Sequence, residues 1–277
     1  MLMPALGITA AIVVLFAFVR FVEPRMAFVP STGESLTPRQ LGLDYQSLSI
    51  STRDGERLHG WSVAGPAARA RILYFHGNGG NLSVWAPIIA GIARKGYAVL
   101  AFDYRGFGLS SGRPTERGLY EDVDAIVGHF WRDAPAALPA VYWGRSLGAA
   151  MAAYAAGVRK PDALILEAGF PDARSLLRES PLLALLALFS SYRFPAAEFL
   201  GRLRPPVPVL VLHVDNDHVV PIAQGRGLFD AIATPMKQFV SIRGGDHNDA
   251  SPSEPAKYWG AVEEFIDIHG RRTCGSS

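Results

Sequence analysis

Cysteine is almost missing from this chain: Cys274, beside the C-terminus, is the single one in 277 residues. One cysteine makes no intramolecular disulfide and no cysteine-rich zinc site, so the fold rests on its own core, and the redox compartment is left undetermined. An excess of one charge is missing too. Lys and Arg total 27 against 25 Asp and Glu, a formal +2, which provides no field for nucleic acid or for strongly acidic substrates. There is no internal repeat and no low-complexity linker. With 49% apolar and 19% charged residues, the composition is that of a core-forming globular protein and excludes disorder as the main state. The length suits one large domain, or at most two.

What is present is unevenly distributed. Met1 to Val19 carries no side-chain charge, and Ile8 to Val19 is nearly all apolar before Arg20. As a helix rising about 1.5 Å per residue, roughly 18 to 20 residues just cross a bilayer core of about 30 Å. Residues 1–22 are therefore expected to form a transmembrane or anchor helix. A cleaved signal peptide needs a basic leader and a small-residue cleavage site. No Lys or Arg precedes the run, however, and it ends Phe16-Ala17-Phe18-Val19-Arg20. Arg20, Arg25 and Arg39 follow it, a bias that puts the remainder of the chain on the cytoplasmic side.

After the Pro-containing segment from Glu23 to Pro38, Tyr45 to Ser51 and Arg57 to Ala64 read as a hairpin around a polar turn, Thr52 to Glu56. From there, short apolar strands, Gly-rich turns and helical segments alternate. Strands are expected at Arg71 to Phe75, Ala98 to Asp103, Ala140 to Trp143, Ala163 to Glu167, Val207 to His213 and Lys237 to Ile242. Helices are expected at Leu82 to Lys95, Thr115 to Trp131, Ser146 to Val158, Ile222 to Ala233 and Glu254 to His269. Strands apolar on both faces, each followed by a helix that returns the chain, predict an α/β fold with a mostly parallel central sheet and helices on both faces. Residues 23–277 make one such domain. One connection is too long: Gly169 to Pro206 is expected to be a small lid insertion, about residues 170–206. Its run Leu182 to Phe189 is too short to cross a membrane and apolar all round, so it is either buried or pressed against lipid.

Gly144-Arg145-Ser146-Leu147-Gly148 fits Gly-x-Ser-x-Gly, which puts a serine on a sharp turn from strand into helix. In a chain with 28 glycines the bare pattern is weak, but here an apolar strand precedes it and a helix of small residues follows. Ser146 would then project above the C-terminal edge of the sheet, at a helix N-terminus that favours negative charge. The competing reading is a serine that merely caps the helix. A serine hydroxyl needs a base, and the base a carboxylate to fix its tautomer. Of seven histidines, His247 lies in the loop after the last strand, on the same sheet edge as Ser146. His218 is the rival, beside Asp217. His213 ends a strand and packs, while His59, His129 and His269 belong to solvent-facing positions. Asp215, Asp217 and Asp246 are candidates for the acid. An oxyanion site needs two N–H donors: the amide of Leu147, and one from the turn His76-Gly77-Asn78-Gly79-Gly80-Asn81, assigned to Asn78. His76 is read as support for that turn. Gly77-Asn78-Gly79, Gly106-Phe107-Gly108 and the Gly91 to Gly96 segment each depart from dinucleotide or phosphate-loop patterns, so no nucleotide is expected.

These segments together resemble the α/β-hydrolase superfamily, and within it the small-capped, membrane-anchored ABHD-type serine hydrolases. The resemblance spans about residues 20–268. It rests on His76 to Asn81, Asp103 to Gly108, Gly118 to Asp122, Gly144 to Gly148, Asp217 to Pro221 and Asp246 to Asn248. It implies the chain order serine, acid, histidine, and its Asp-x-x-Val-Pro element falls on Asp217 rather than Asp215. The implied roles are catalytic Ser146, Asp217 and His247, with Asp103 and Arg105 structural. The sequence departs from the family where His213 to Asn216 stands in place of a Gly-x-x before the acid, and at Gly79, where relatives often carry alanine. The resemblance implies cleavage of carboxylic esters or thioesters through an acyl-serine, without metal or organic cofactor. With the anchor and the apolar lid, the expected partners are a small-molecule or lipid acyl substrate and a membrane. Two other readings use the same residues: a peptidase or amidase, and a hydrolase-shaped binding protein with a dead site. No pattern in the sequence encodes an oligomeric state.

Overall fold

A computed structural model describes residues 14, 16–21, 23, 25, 27–65, 67–132, 138–180, 184, 187, 190–249 and 252–270. Eight strands form the main sheet. They are β1 (Tyr45–Ser51), β2 (Arg57–Val63), β3 (Ala70–Phe75), β4 (Tyr97–Phe102), β5 (Ala140–Arg145), β6 (Ala163–Glu167), β7 (Val209–Val214) and β8 (Lys237–Ile242). Their spatial order is β1-β2-β4-β3-β5-β6-β7-β8. The β1–β2 hairpin is antiparallel and β2 meets β4 antiparallel, while every pairing from β4 to β8 is parallel. Each expected strand is found, three with the expected ends and the others with ends shifted by one or two residues.

The parallel strands read as continuous apolar runs because both of their faces are covered. Alternate residues serve opposite cores. Leu73, Phe75, Tyr142, Leu164 and Val211 face one cluster, and Ile72, Tyr74, Val141, Trp143, Ile165 and Leu212 face the other. Helices α1 (Leu82–Arg94) and α7 (Pro255–His269) cover the second face. On the first lie α2 (Glu116–Arg132), α3 (Leu147–Val158), α5 (Ala196–Gly201) and α6 (Ile222–Ala231). Helix α3 has no polar stripe. Six alanines of its twelve residues are buried, and their small side chains let it lie close against the sheet beneath Ser146.

The connection from β6 to β7 holds the insertion, with α4 (Ala173–Leu177) and α5 as its short helices. Ala187 is buried; the leucines of the run from Leu182 to Phe189 lie outside the described residues. At the other end of the chain, the described residues between 14 and 27 are helical. Val14, Phe16, Phe18 and Phe21 are exposed there and Val19 is buried. Among the described residues no helix is long and apolar enough to cross a membrane, and most of the expected anchor, residues 1–13, 15 and 22, lies outside them. Val29 and Pro30 pair in parallel with Gly79 and Gly80, which lays the N-terminal segment along the turn after β3.

Candidate active site

Strand β5 runs into α3 through Ser146, whose backbone is forced to φ 55° and ψ −120°. A non-glycine residue rarely sits there, and the cost persists only where surroundings over-determine it. The two glycines are that surrounding. A Cβ on Gly144 would stand 2.0 Å from the Gly148 carbonyl oxygen, and one on Gly148 would stand 2.0 Å from that of Phe75. Strand, turn and helix therefore approach more closely than any side chain allows. The Ser146 hydroxyl makes no capping bond to the helix, so the capping reading does not describe this serine.

The hydroxyl points instead at His247, with Oγ 3.1 Å from Nε2. The other ring nitrogen, Nδ1, lies 2.7 Å from Asp217 Oδ2. Positions 146, 217 and 247 come from the ends of β5, β7 and β8, and the common direction of those strands delivers all three to one rim. Asp217 is fully enclosed at its carboxyl. Its Oδ1 accepts from the amides of Val219 at 2.9 Å and Val220 at 2.6 Å, so the turn presents the carboxylate although no glycine precedes it. Burial pushes this carboxyl up, but the His247 ring and the two amides outweigh it and hold it below the usual carboxylate range.

The rival candidates go elsewhere. His218 is exposed. Asp215 accepts from the Gly244 amide at 2.7 Å, and Asp246 accepts from the His247 amide at 2.6 Å, so both shape the loop that carries His247. His213 is buried, donates through Nε2 to the Val220 carbonyl at 2.7 Å, and is pushed down by burial. It packs behind Asp217, as its position at a strand end predicts. His76 is enclosed below the turn, where its Nδ1 donates to the Gly77 carbonyl at 2.7 Å.

Ser146, His247, Leu147 and Asn78 share a cavity of about 1060 Å³, just above the roughly 300–1000 Å³ usual for ligand pockets. Val84, Trp85 and Ile88 of α1, Phe170, Leu176 and Leu177 of the insertion, and Phe18 and Val19 of the N-terminal helix make most of its wall apolar. Among the described residues no group of His, Cys, Asp and Glu is arranged to hold a metal.

Four side-chain roles were not readable from motifs. Arg145 occupies the unconstrained position of Gly-x-Ser-x-Gly, yet it is buried. Its guanidinium donates to the carbonyls of His247 at 2.6 Å and Asp249 at 2.9 Å, and it pairs with Glu167 at 3.7 Å. It thus ties the strand carrying Ser146 to the loop carrying His247. The Asn78 side chain donates to the Ala27 carbonyl at 2.8 Å, and that of Asn81 to the Gly33 carbonyl at 2.8 Å. The N-terminal segment therefore braces the turn expected to supply an oxyanion donor. Glu23 also enters the cavity wall. The only sequence signal for any of these is a charged or amide side chain in an otherwise apolar neighbourhood.

A family model described as "Serine aminopeptidase, S33" matches residues 66–206. An uncharacterized membrane protein of Saccharomyces cerevisiae, YNL320W, is 29% identical over 235 residues, 83% of this chain and 82% of that protein. The lysophosphatidylserine lipase ABHD12 of Macaca fascicularis is 34% identical over 202 residues, 64% of this chain but 48% of the lipase. Among solved structures, the Pyrococcus furiosus esterase Pf2001 superposes with a TM-score of 0.70 at 20% identity, covering 88% of this chain and 97% of the esterase.

Proposed function

The chain belongs to the serine aminopeptidase S33 family of the α/β-hydrolase superfamily, and from that premise we propose that it is a serine hydrolase of carboxylic esters or thioesters with acyl-chain substrates. The observation that carries this reading is the unbroken line from Asp217 through His247 to Ser146, at the floor of a large apolar cavity. In the proposed reaction His247 Nε2 takes the proton from Ser146 Oγ as the oxygen attacks the acyl carbonyl. Asp217 holds Nδ1–H and the resulting imidazolium. The oxyanion accepts from the amides of Leu147 and Asn78, each such donor contributing about 3 kcal/mol at the transition state. Collapse expels the alcohol or thiol with the proton returned from His247 and leaves an acyl-serine. Water, deprotonated by the same imidazole, then releases the carboxylic acid and restores Ser146.

The cavity wall supports acyl over peptide substrates, because most of it offers an aliphatic chain apolar surface rather than backbone hydrogen-bond partners. The lipase and esterase activities in the names of ABHD12 and Pf2001 point the same way. The family description favours a second reading, hydrolysis of aminoacyl amides by the same groups. We further infer that the N-terminal apolar run holds the enzyme at a membrane, on the cytoplasmic side, where it meets its substrate. The name of the yeast relative is in keeping with that.

The test is a panel of acyl esters, palmitoyl thioesters and aminoacyl amides, with fluorophosphonate labelling as the readout of the nucleophile. Wild type is expected to turn over esters or thioesters and to label. Ser146→Ala should lose labelling and at least about 10⁴-fold in kcat. Turnover of the amides alone would install the second reading, and folded wild type that neither labels nor turns over any member would leave a binding protein.

A further inference from the structure

Glu23 is a carboxylate in the wall of a mostly apolar cavity, 167 and 168 residues away in sequence from its partners. Such a group is costly unless its oxygens find donors. They do. The Glu23 carboxylate accepts from the Ser190 hydroxyl, from the Ser191 amide at 3.1 and 3.0 Å, and from the Ser191 hydroxyl at 2.6 Å. Burial raises this carboxyl, yet the serine donors leave it below its usual value. Its hydrogen-bonding capacity is spent on the chain itself, so it is not held in readiness for a cationic group of a substrate.

The segment it grips is fixed from the far side as well. Glu116 of α2 accepts from the amides of Arg193 at 2.6 Å and Phe194 at 2.7 Å. Phe28 packs edge-on against Tyr192 and Phe194, with ring centroids 5.4 and 6.1 Å apart. The stretch from Ser190 to Phe194 is thus a fixed rail, and Glu23 latches the N-terminal helix to it. That helix carries Phe18 and Val19 into the same cavity. Phe18 is itself mostly exposed.

We propose that the Glu23 latch makes the N-terminal helix one wall of the acyl-binding cavity, so that Glu23 and the residues it positions set which acyl lengths the site takes. This rests on the acyl-hydrolase reading above for its catalytic consequence, but not for binding. A membrane-proximal helix would then have two jobs, and a chain leaving the bilayer would meet the cavity along it. Each methylene that loses its wall weakens binding about four-fold, so loss of contact with two or three is readily measured.

The experiment uses the full chain in detergent, with Glu23→Ala and the double variant Ser190→Ala/Ser191→Ala. The first removes the carboxylate, and the second removes its two hydroxyl donors while leaving the Ser191 amide in place. Palmitate binding is measured on a Ser146→Ala background, and kcat/KM for p-nitrophenyl palmitate and butyrate on the active enzyme. Both variants should weaken palmitate binding at least ten-fold and lower the palmitate-to-butyrate ratio at least ten-fold, through KM. Unchanged palmitate binding, or equal losses on both esters, would overturn the latch. Should the wild type hydrolyse neither ester nor thioester while palmitate binding still depends on Glu23, the acyl-hydrolase reading falls and the latch stands. If Glu23→Ala does not fold, Ser191→Ala removes one donor while keeping the backbone, and is read the same way.

Discussion

Asp217 carries a buried negative charge that accepts from the His247 imidazole and two backbone amides, with the His213 ring 3.7 Å away. Its carboxyl is held below the ordinary range despite burial, which acts in the opposite direction. The sign of the pH effect follows. A carboxyl with a lowered folded value stabilises the native state fully above its unfolded value, about 3.9. That contribution is lost as the pH falls through the lower folded value. The part of the Tm gap between wild type and Asp217→Asn that comes from this carboxyl is therefore expected to shrink below about pH 4. A gap that closes already at pH 6 would contradict the assignment. Because the amide cannot hold Nδ1–H in the required tautomer, Asp217→Asn should also lower kcat about 10³–10⁴-fold, measured on whichever substrate wild type turns over.

At the scale of elements, the site depends on loops being held to strand ends. Arg105, in the turn after β4, is such a fastener. It donates to Asp122 of α2 through its backbone amide and Nε, both at 2.8 Å, and to Asp54 of the β1–β2 turn at 2.7 and 3.0 Å. Asp122 is fully buried, so Arg105→Leu would strand its charge. The expected loss is about 3–5 kcal/mol, roughly 6–20 °C in Tm for a domain of this size, measurable by calorimetry. Asp122→Asn in the same background should recover part of it, since the uncompensated charge is then gone. The strands and helices themselves were legible, because apolar runs bounded by glycine and polar turns have few alternatives in a doubly covered sheet. Their ends were less so: β5 extends to Arg145 rather than Trp143, since a polar side chain in a parallel strand stays in register when a half-buried partner on the next strand, here Glu167, receives it.

For the whole molecule, the question is how an apolar N-terminus relates to a cavity formed some hundred residues later. Deleting residues 1–22 is expected to move the protein from the membrane to the soluble fraction after cell lysis, because the apolar run goes with them. Retention in the membrane fraction would shift attention to the insertion around Leu182 to Phe189. The same deletion removes Phe18 and Val19 from the cavity wall, so the released enzyme should favour short acyl chains. From sequence alone, periodicity and turn chemistry dictated an α/β fold with a mostly parallel sheet and placed Ser146, His247 and the candidate acids Asp215 and Asp217 at strand ends, since parallel strands send all their C-terminal loops to one edge; the choice of Asp217 came from the resemblance to the α/β-hydrolases. Whether those three side chains meet was a matter of ångströms, set by packing that no local pattern records. The tertiary structure likewise decided the parts played by Arg145, Asn78 and Glu23. Each acts by reaching a backbone or hydroxyl group distant in the chain, and a hydrogen bond across 51 or 167 residues leaves no periodic trace in the sequence that makes it.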